Sequence, residues 1–182
     1  MARVPYADET SSPEIRQLAE TIRAKRGGRM LNLYRMLLSS PPVAAGWLKF
    51  FTAIRQQTTL PAAQRELAIL RVAVVNGAQY EYQAHLPFAL KEGVTEAQLA
   101  ALGEWQGSDL FSPAQRALLA YADAMTREIH VPAPVFDALR AHFDDRQIVE
   151  LTATVGGYNL VSRFLEALEI DPEGTQRRTE PH

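Results

Sequence analysis

RELAILRVAVVNGAQYEYQAH, running from Arg65 to His85, is the stretch on which the fold of this chain turns. Its first half is apolar on nearly every face from Leu67 to Val75, interrupted only by Arg71, and a helix of that kind belongs in a core or an interface. Asn76-Gly77 breaks it, and a second helical pattern follows in which Glu81 and His85 stand four residues apart. Residues at i and i+4 share a helix face, so a carboxylate and an imidazole point the same way. On an exposed face such a pair is an ordinary weak surface contact. Entered straight from a buried helix, it is expected to be partly buried, where desolvation and neighbouring charges move pKa values toward catalytic use.

Helical patterning continues on both sides of this stretch. Residues 1–12 are polar and read as an arm without a periodic apolar face. Ser12-Pro13-Glu14 supplies an N-cap, a first-turn proline and an acid at the positive end of a helix dipole, which predicts a helix to about Arg26, closed by Gly27-Gly28. Met30, Leu31, Leu33, Tyr34, Leu37 and Leu38 predict a second helix, and Val43 to Gln56 a third, whose Trp47, Phe50 and Phe51 sit at the spacing of core packing.

Beyond the central stretch, Gly93 is placed to end the helix from about Gln79 to Lys91, and Thr95 to cap TEAQLAAL. Gly103 to Ser108 reads as a loop carrying Trp105, and Ser112-Pro113 opens PAQRALLAYADAMTREI. A short helix over Pro134 to His142 and a long one from Arg146 to about Glu169, capped by Asp144 or Asp145, complete the set. No segment alternates as a strand does, so the chain reads as all-α, a single helical domain over 13–170 with an arm at 1–12 and a polar tail at 171–182.

Totals narrow the chemistry. The length, 182 residues, suits one domain, and a net charge of -2 advertises no nucleic-acid or anionic-membrane surface. There is no cysteine, which removes disulfides, thiolate metal sites and thiol nucleophiles together. The opening MARVPYADETSSPE lacks the layout of a secretory signal and no apolar run reaches a membrane span, so the expected location is the cytoplasm.

An internal repeat is also legible. Gln64 and Arg65 in PAAQREL match Gln115 and Arg116 in SPAQRAL, and Ala89-Leu90-Lys91 through Thr95, Gln98 and Leu99 match Ala138-Leu139-Arg140 through Asp144, Gln147 and Ile148, at an offset of roughly fifty residues. The second copy has no Glu-His pair. Its corresponding region is Glu128-Ile129-His130-Val131-Pro132, broken by proline, so the first copy is expected to carry the chemistry.

These residues resemble the carboxymuconolactone decarboxylase family, which includes the alkylhydroperoxidase D enzymes, over RELAILRVAVVNGAQYEYQAHLPFALKEGVTEAQLAAL (65–102) and TATVGGYNLVSRFLEAL (152–168). In the peroxidase branch the pattern is a helical Glu, a Cys-x-x-Cys pair and a His. Glu66 and His85 fall on the outer positions, while Ala78 and Glu81 fall on the cysteines, so thiol peroxidase activity is not carried over. The decarboxylase branch uses a Glu-x-x-x-His pair without thiols, which Glu81 to His85 fits. The resemblance implies an all-helical, cofactor-free carboxy-lyase acting on a small carboxylated lactone or a related aromatic-degradation intermediate, self-associating as a homotrimer or homohexamer.

Loss of carbon dioxide from such a substrate leaves an enolate that must be protonated. His85 is the candidate acid or proton shuttle, Glu81 the group that holds its tautomer or takes the proton in turn, and Glu66 a second, more buried carboxylate. Arg163, beside Tyr158 and Asn159, and Arg71, alone in an apolar helix, are candidates for the substrate carboxylate, each with an internal alternative: Glu66 for Arg71 and Glu166 for Arg163. Tyr80 and Tyr82 are candidate walls of the site. One histidine with two carboxylates is a weak metal set, and the reading calls for no metal and no cofactor. A non-catalytic oligomeric binding or scaffold protein of the same fold is the competing expectation.

Overall fold

The computed structural model describes residues 2–174; residues 175–182 of the polar tail, His182 among them, lie outside the described part. Among the described residues there are nine α-helices, one 3-10 helix and no strand, and no helix is long and apolar enough to cross a membrane. The chain groups into two compact units, residues 2–52 with 165–174, and Ala53–Phe164.

The first unit holds α1 (Pro13–Lys25), α2 (Asn32–Leu37) and most of α3 (Pro41–Gln56). Ser12 Oγ accepts from the Ile15 amide at 3.1 Å, as its position before Pro13 predicted. The N-terminal arm is tied down by side chains rather than by an apolar face. Glu9 accepts from Arg23 and, at 3.1 Å, from Arg35 Nε, while Tyr6 donates to Asp171 Oδ2 and accepts from the Asp171 amide, both at 3.0 Å.

The second unit is built on α4 (Ala62–Asn76), which packs against α5 (Gln79–Lys91) and α7 (Pro113–Arg127). The run from Leu67 to Ala73, Arg71 included, is buried, the outcome its all-round apolar pattern required. Gly77 ends α4 at φ 65°, a left-handed conformation in which its amide reaches back toward the carbonyls of the last turn. α5 runs through Pro87, whose missing amide cannot bond the carbonyl one turn back, at Gln83, a residue on the exposed side of the helix.

α6 (Glu96–Ala101), a 3-10 helix at Leu102–Gly107 where the sequence suggested an irregular loop, α8 (Ala133–Arg140) and α9 (Asp145–Ala167) complete the unit up to Phe164. Side chains of the neighbouring helices tie the 3-10 segment down. Arg71 Nη1 donates to the carbonyls of Leu102 and Gly103, and Trp105 Nε1 donates to Asp123.

Three helix starts carry reciprocal caps with glutamine at the third position: Thr95 with Gln98, Ser112 with Gln115, and Asp144 with Gln147. The start of α4 has none, and Glu150 of α9 substitutes. Its Oε2 accepts from the amides of Thr59 (2.7 Å) and Leu60 (2.9 Å), which fixes the entry of α4 and with it the position of Glu66.

Candidate active site

Glu66 lies in the second turn of α4 and His85 two turns into α5. Nineteen positions apart, they meet because the Gly77 turn folds α5 back along α4. His85 Nδ1 lies 2.7 Å from Glu66 Oε2, with Glu66 2% and His85 6% exposed. An ionised carboxylate can only accept, so the shared proton sits on Nδ1 and the lone pair is left on Nε2.

The charges agree with that tautomer. Burial pushes the His85 imidazole below its ordinary value, opposed by the hydrogen bond and charge of Glu66 and reinforced by Arg55 and Arg65. Burial also works to raise Glu66, but its bond to His85 and the charges of His85, Arg65 and Arg55 hold it below the ordinary carboxylate range. The pair therefore stands as a neutral imidazole oriented by a carboxylate.

Glu81, one turn before His85, is buried as well and is bonded to α9. Ser162 Oγ on α9 lies 2.9 Å from Glu81 Oε2 and 3.0 Å from the Tyr158 carbonyl, between which its single proton is shared. The hydrogen bond that fixes the imidazole tautomer comes from Glu66, the acid farther away in sequence. Tyr158 is at the site: its ring meets the His85 ring edge-on at 4.9 Å, with the planes at 89°. Tyr80 is buried on α5 and Tyr82 half-buried.

Asn159 is placed by polar contacts of its own. Its Nδ2 donates to Thr126 Oγ1 and the Val155 carbonyl, both at 3.0 Å, and its Oδ1 accepts from Asn76 and Arg163. Arg163 thus spends Nη1 on the side chain and carbonyl of Asn159, at 2.7 and 3.1 Å. Arg71 forms a two-pronged pair with Asp123, 2.5 Å from Nε to Oδ1 and 2.9 Å from Nη2 to Oδ2, and is separately bonded to carbonyls of the 3-10 helix. Its internal acid is Asp123, where the sequence suggested Glu66.

The arginines that do stand at the Glu66–His85 pair were not singled out by sequence. Arg65 Nε lies 3.5 Å from Glu66 Oε1, and Arg55 covers the Phe88 ring at 4.9 Å, with that ring 6.1 Å from His85. Arg65 precedes Glu66 directly, and neighbours in a helix do not normally face each other, so its spacing gave no signal. Among the described residues no group of three or more His, Asp or Glu is placed to hold a metal ion.

Comparison with known proteins gives the same central region. Residues 41–124 match the carboxymuconolactone decarboxylase family. The uncharacterized protein YnjA of Escherichia coli K12 is 34% identical over 137 residues, 72% of this chain and 70% of YnjA. ATU0492 of Agrobacterium tumefaciens, a solved structure described as a candidate AhpD antioxidant-defence protein, superposes with a TM-score of 0.71 at 25% identity, over 75% of this chain and 94% of that one. The debrominase Bmp8, solved in complex with 2,3,4-tribromopyrrole, has the same fold at 19% identity, with a TM-score of 0.79 over 96% of this chain and 95% of that one.

Proposed function

This chain belongs to the carboxymuconolactone decarboxylase family, and on that premise we propose that it is a cofactor-free carboxy-lyase that works by proton transfer through Glu66 and His85. The observation that carries the reading is the buried 2.7 Å bond between Glu66 Oε2 and His85 Nδ1, which presents Nε2 as a base in a chain that has no sulfur nucleophile. The substrate is a small carboxylated lactone or a related unsaturated acid.

In this reading the anionic substrate arrives beside a neutral imidazole, and its charge favours the protonated ring, so His85 takes up a proton as the substrate binds. The carbon–carboxylate bond then breaks, its electron pair moves into the unsaturated carbonyl system, and carbon dioxide departs. Nε2–H protonates the carbon of the resulting enolate, returning His85 to its neutral form. Each turnover consumes one proton and releases one carbon dioxide. Glu66 stabilises the transient imidazolium, Tyr158 holds the plane of the ring, and Glu81, anchored by Ser162, is the second acid of the relay. Arg71 serves the fold, through Asp123.

The test is carbon dioxide release from a panel of small carboxylated lactones and unsaturated acids, with His85→Asn as the diagnostic variant. The asparagine amide reproduces Nδ1–H toward Glu66 and deletes Nε2. Turnover should fall by roughly a hundredfold or more, with a melting temperature close to that of the parent. Full activity in that variant, or no carbon dioxide from any member of the panel, would sink the proposal; the latter favours a binding or scaffold protein.

A further inference from the structure

The carboxy-lyase reading, on which the following inference rests, leaves the seat of the substrate's acid group unassigned. Arg71 is committed to Asp123 and two carbonyls, and Arg163, exposed on α9, gives Nη1 to Asn159. Arg65 and Arg55 are placed differently. The Arg65 side chain is 12% exposed, and its buried Nε has no hydrogen-bond partner among the described residues; its 3.5 Å approach to Glu66 is an ion pair without a hydrogen bond. That Nε is closed off, so a ligand carboxylate would meet Arg65 through the part of its side chain that remains exposed, drawn by a charge that Glu66 only partly answers.

The internal repeat sharpens the contrast. Arg116, which matches Arg65 in sequence, donates to the carbonyls of Ser108 (2.8 Å) and Gln106 (2.9 Å) and stacks 5.4 Å over Trp105. The second arginine holds a loop in place. The first sits instead at the imidazole and carboxylate. Arg55, half-buried, lies over Phe88, a ring 45% exposed and 6.1 Å from the His85 ring, which places a second, partly exposed guanidinium near the pair. Glu66 answers one of the two positive charges.

We infer that Arg65 and Arg55 form the seat for the carboxylate of a small, flat molecule, and that they make the site select anions over neutral analogues of the same shape. Arg65 supplies the directed hydrogen bond and Arg55 the second charge, with the Phe88 ring as the apolar floor beneath it.

The experiment is calorimetric titration of the full chain with 5-oxotetrahydrofuran-2-carboxylate, a saturated lactone acid that cannot delocalise the electrons of decarboxylation, and with its neutral methyl ester. The parent should bind the acid at least about tenfold more tightly than the ester, as a charge-assisted contact requires. Arg65→Met and Arg55→Met should each weaken the acid by about tenfold and leave the ester unchanged, and Arg65→Lys should recover part of the loss. Arg55 makes no hydrogen bond among the described residues that its replacement would orphan, so Arg55→Met and Arg65→Lys decide the matter if Arg65→Met fails to fold. A parent that does not prefer the acid, a preference that survives both methionine variants, or one lost in Arg163→Met alone would overturn the seat. Acid-selective binding without carbon dioxide release from any substrate would refute the lyase and leave the seat standing; release that ignores Arg55 and Arg65 would do the reverse.

Discussion

Glu66→Gln isolates the central interaction, because the side chain keeps its size while the carboxylate loses its charge. The bond it alters is short, 2.7 Å, and lies between two buried side chains, so it belongs with charge-assisted contacts of about 1.5–3 kcal/mol. At about 1.4 kcal/mol per tenfold, imidazolium stabilisation should fall by roughly ten- to a hundredfold, and turnover with it. Stability should change less, since the amide oxygen still accepts from Nδ1–H, although Arg65 loses the acid beside it. The tautomer also loses its cause. A carboxylate forces the proton onto Nδ1, whereas a carboxamide can turn its NH₂ toward the ring and accept either form. The assay is nitrogen NMR of the imidazole at neutral pH, which needs no substrate. The parent should show a protonated Nδ1 and a bare Nε2, and Glu66→Gln a mixture or the opposite tautomer. A parent with its proton on Nε2, or a variant with an unchanged tautomer and unchanged turnover, would refute the reasoning.

Acidification should weaken the fold in two steps, because both members of the pair have folded pKa values below their unfolded ones. In each case the unfolded chain binds the proton first, so stability falls as pH drops, from about 6.5 for His85 and from about 4.5 for Glu66; denaturant midpoints measured against pH should show the upper step in the parent and lose it in His85→Asn. Arg71→Met should destabilise strongly, by roughly 3–5 kcal/mol, because it leaves Asp123 facing a low-dielectric interior without its cation. At ~2–4 °C per kcal/mol for a chain of this size, the melting temperature should drop by about 6–20 °C, and a drop under about 2 °C would show that water replaces the pair.

Much of this protein was settled by local chemistry that the sequence displays openly. The apolar run from Leu67 to Val75 forms a helix buried as far as Ala73, Gly77 ends it, and Ser12, Thr95, Ser112 and Asp144 each cap the helix they precede because the cap depends on residues three positions away. The absence of cysteine excluded thiol chemistry without any structure. Glu66, Glu81 and His85 could be named from sequence as candidates, and all three are buried.

What the tertiary structure alone decided is which of them touch. Sequence proximity paired Glu81 with His85, one turn away, yet the hydrogen bond to Nδ1 comes from Glu66, nineteen positions off, because the left-handed turn at Gly77 lays α5 along α4. Glu81 instead meets Ser162, some eighty positions on, and Arg71 meets Asp123 rather than the glutamate in its own helix. Helical periodicity tells which face a side chain occupies, but the partner across that face is set by how helices pack. That is why Arg71, conspicuous in an apolar helix, meets an acid on another helix, while Arg65 and Arg55, ordinary in sequence, bring their charges to bear on Glu66 and His85.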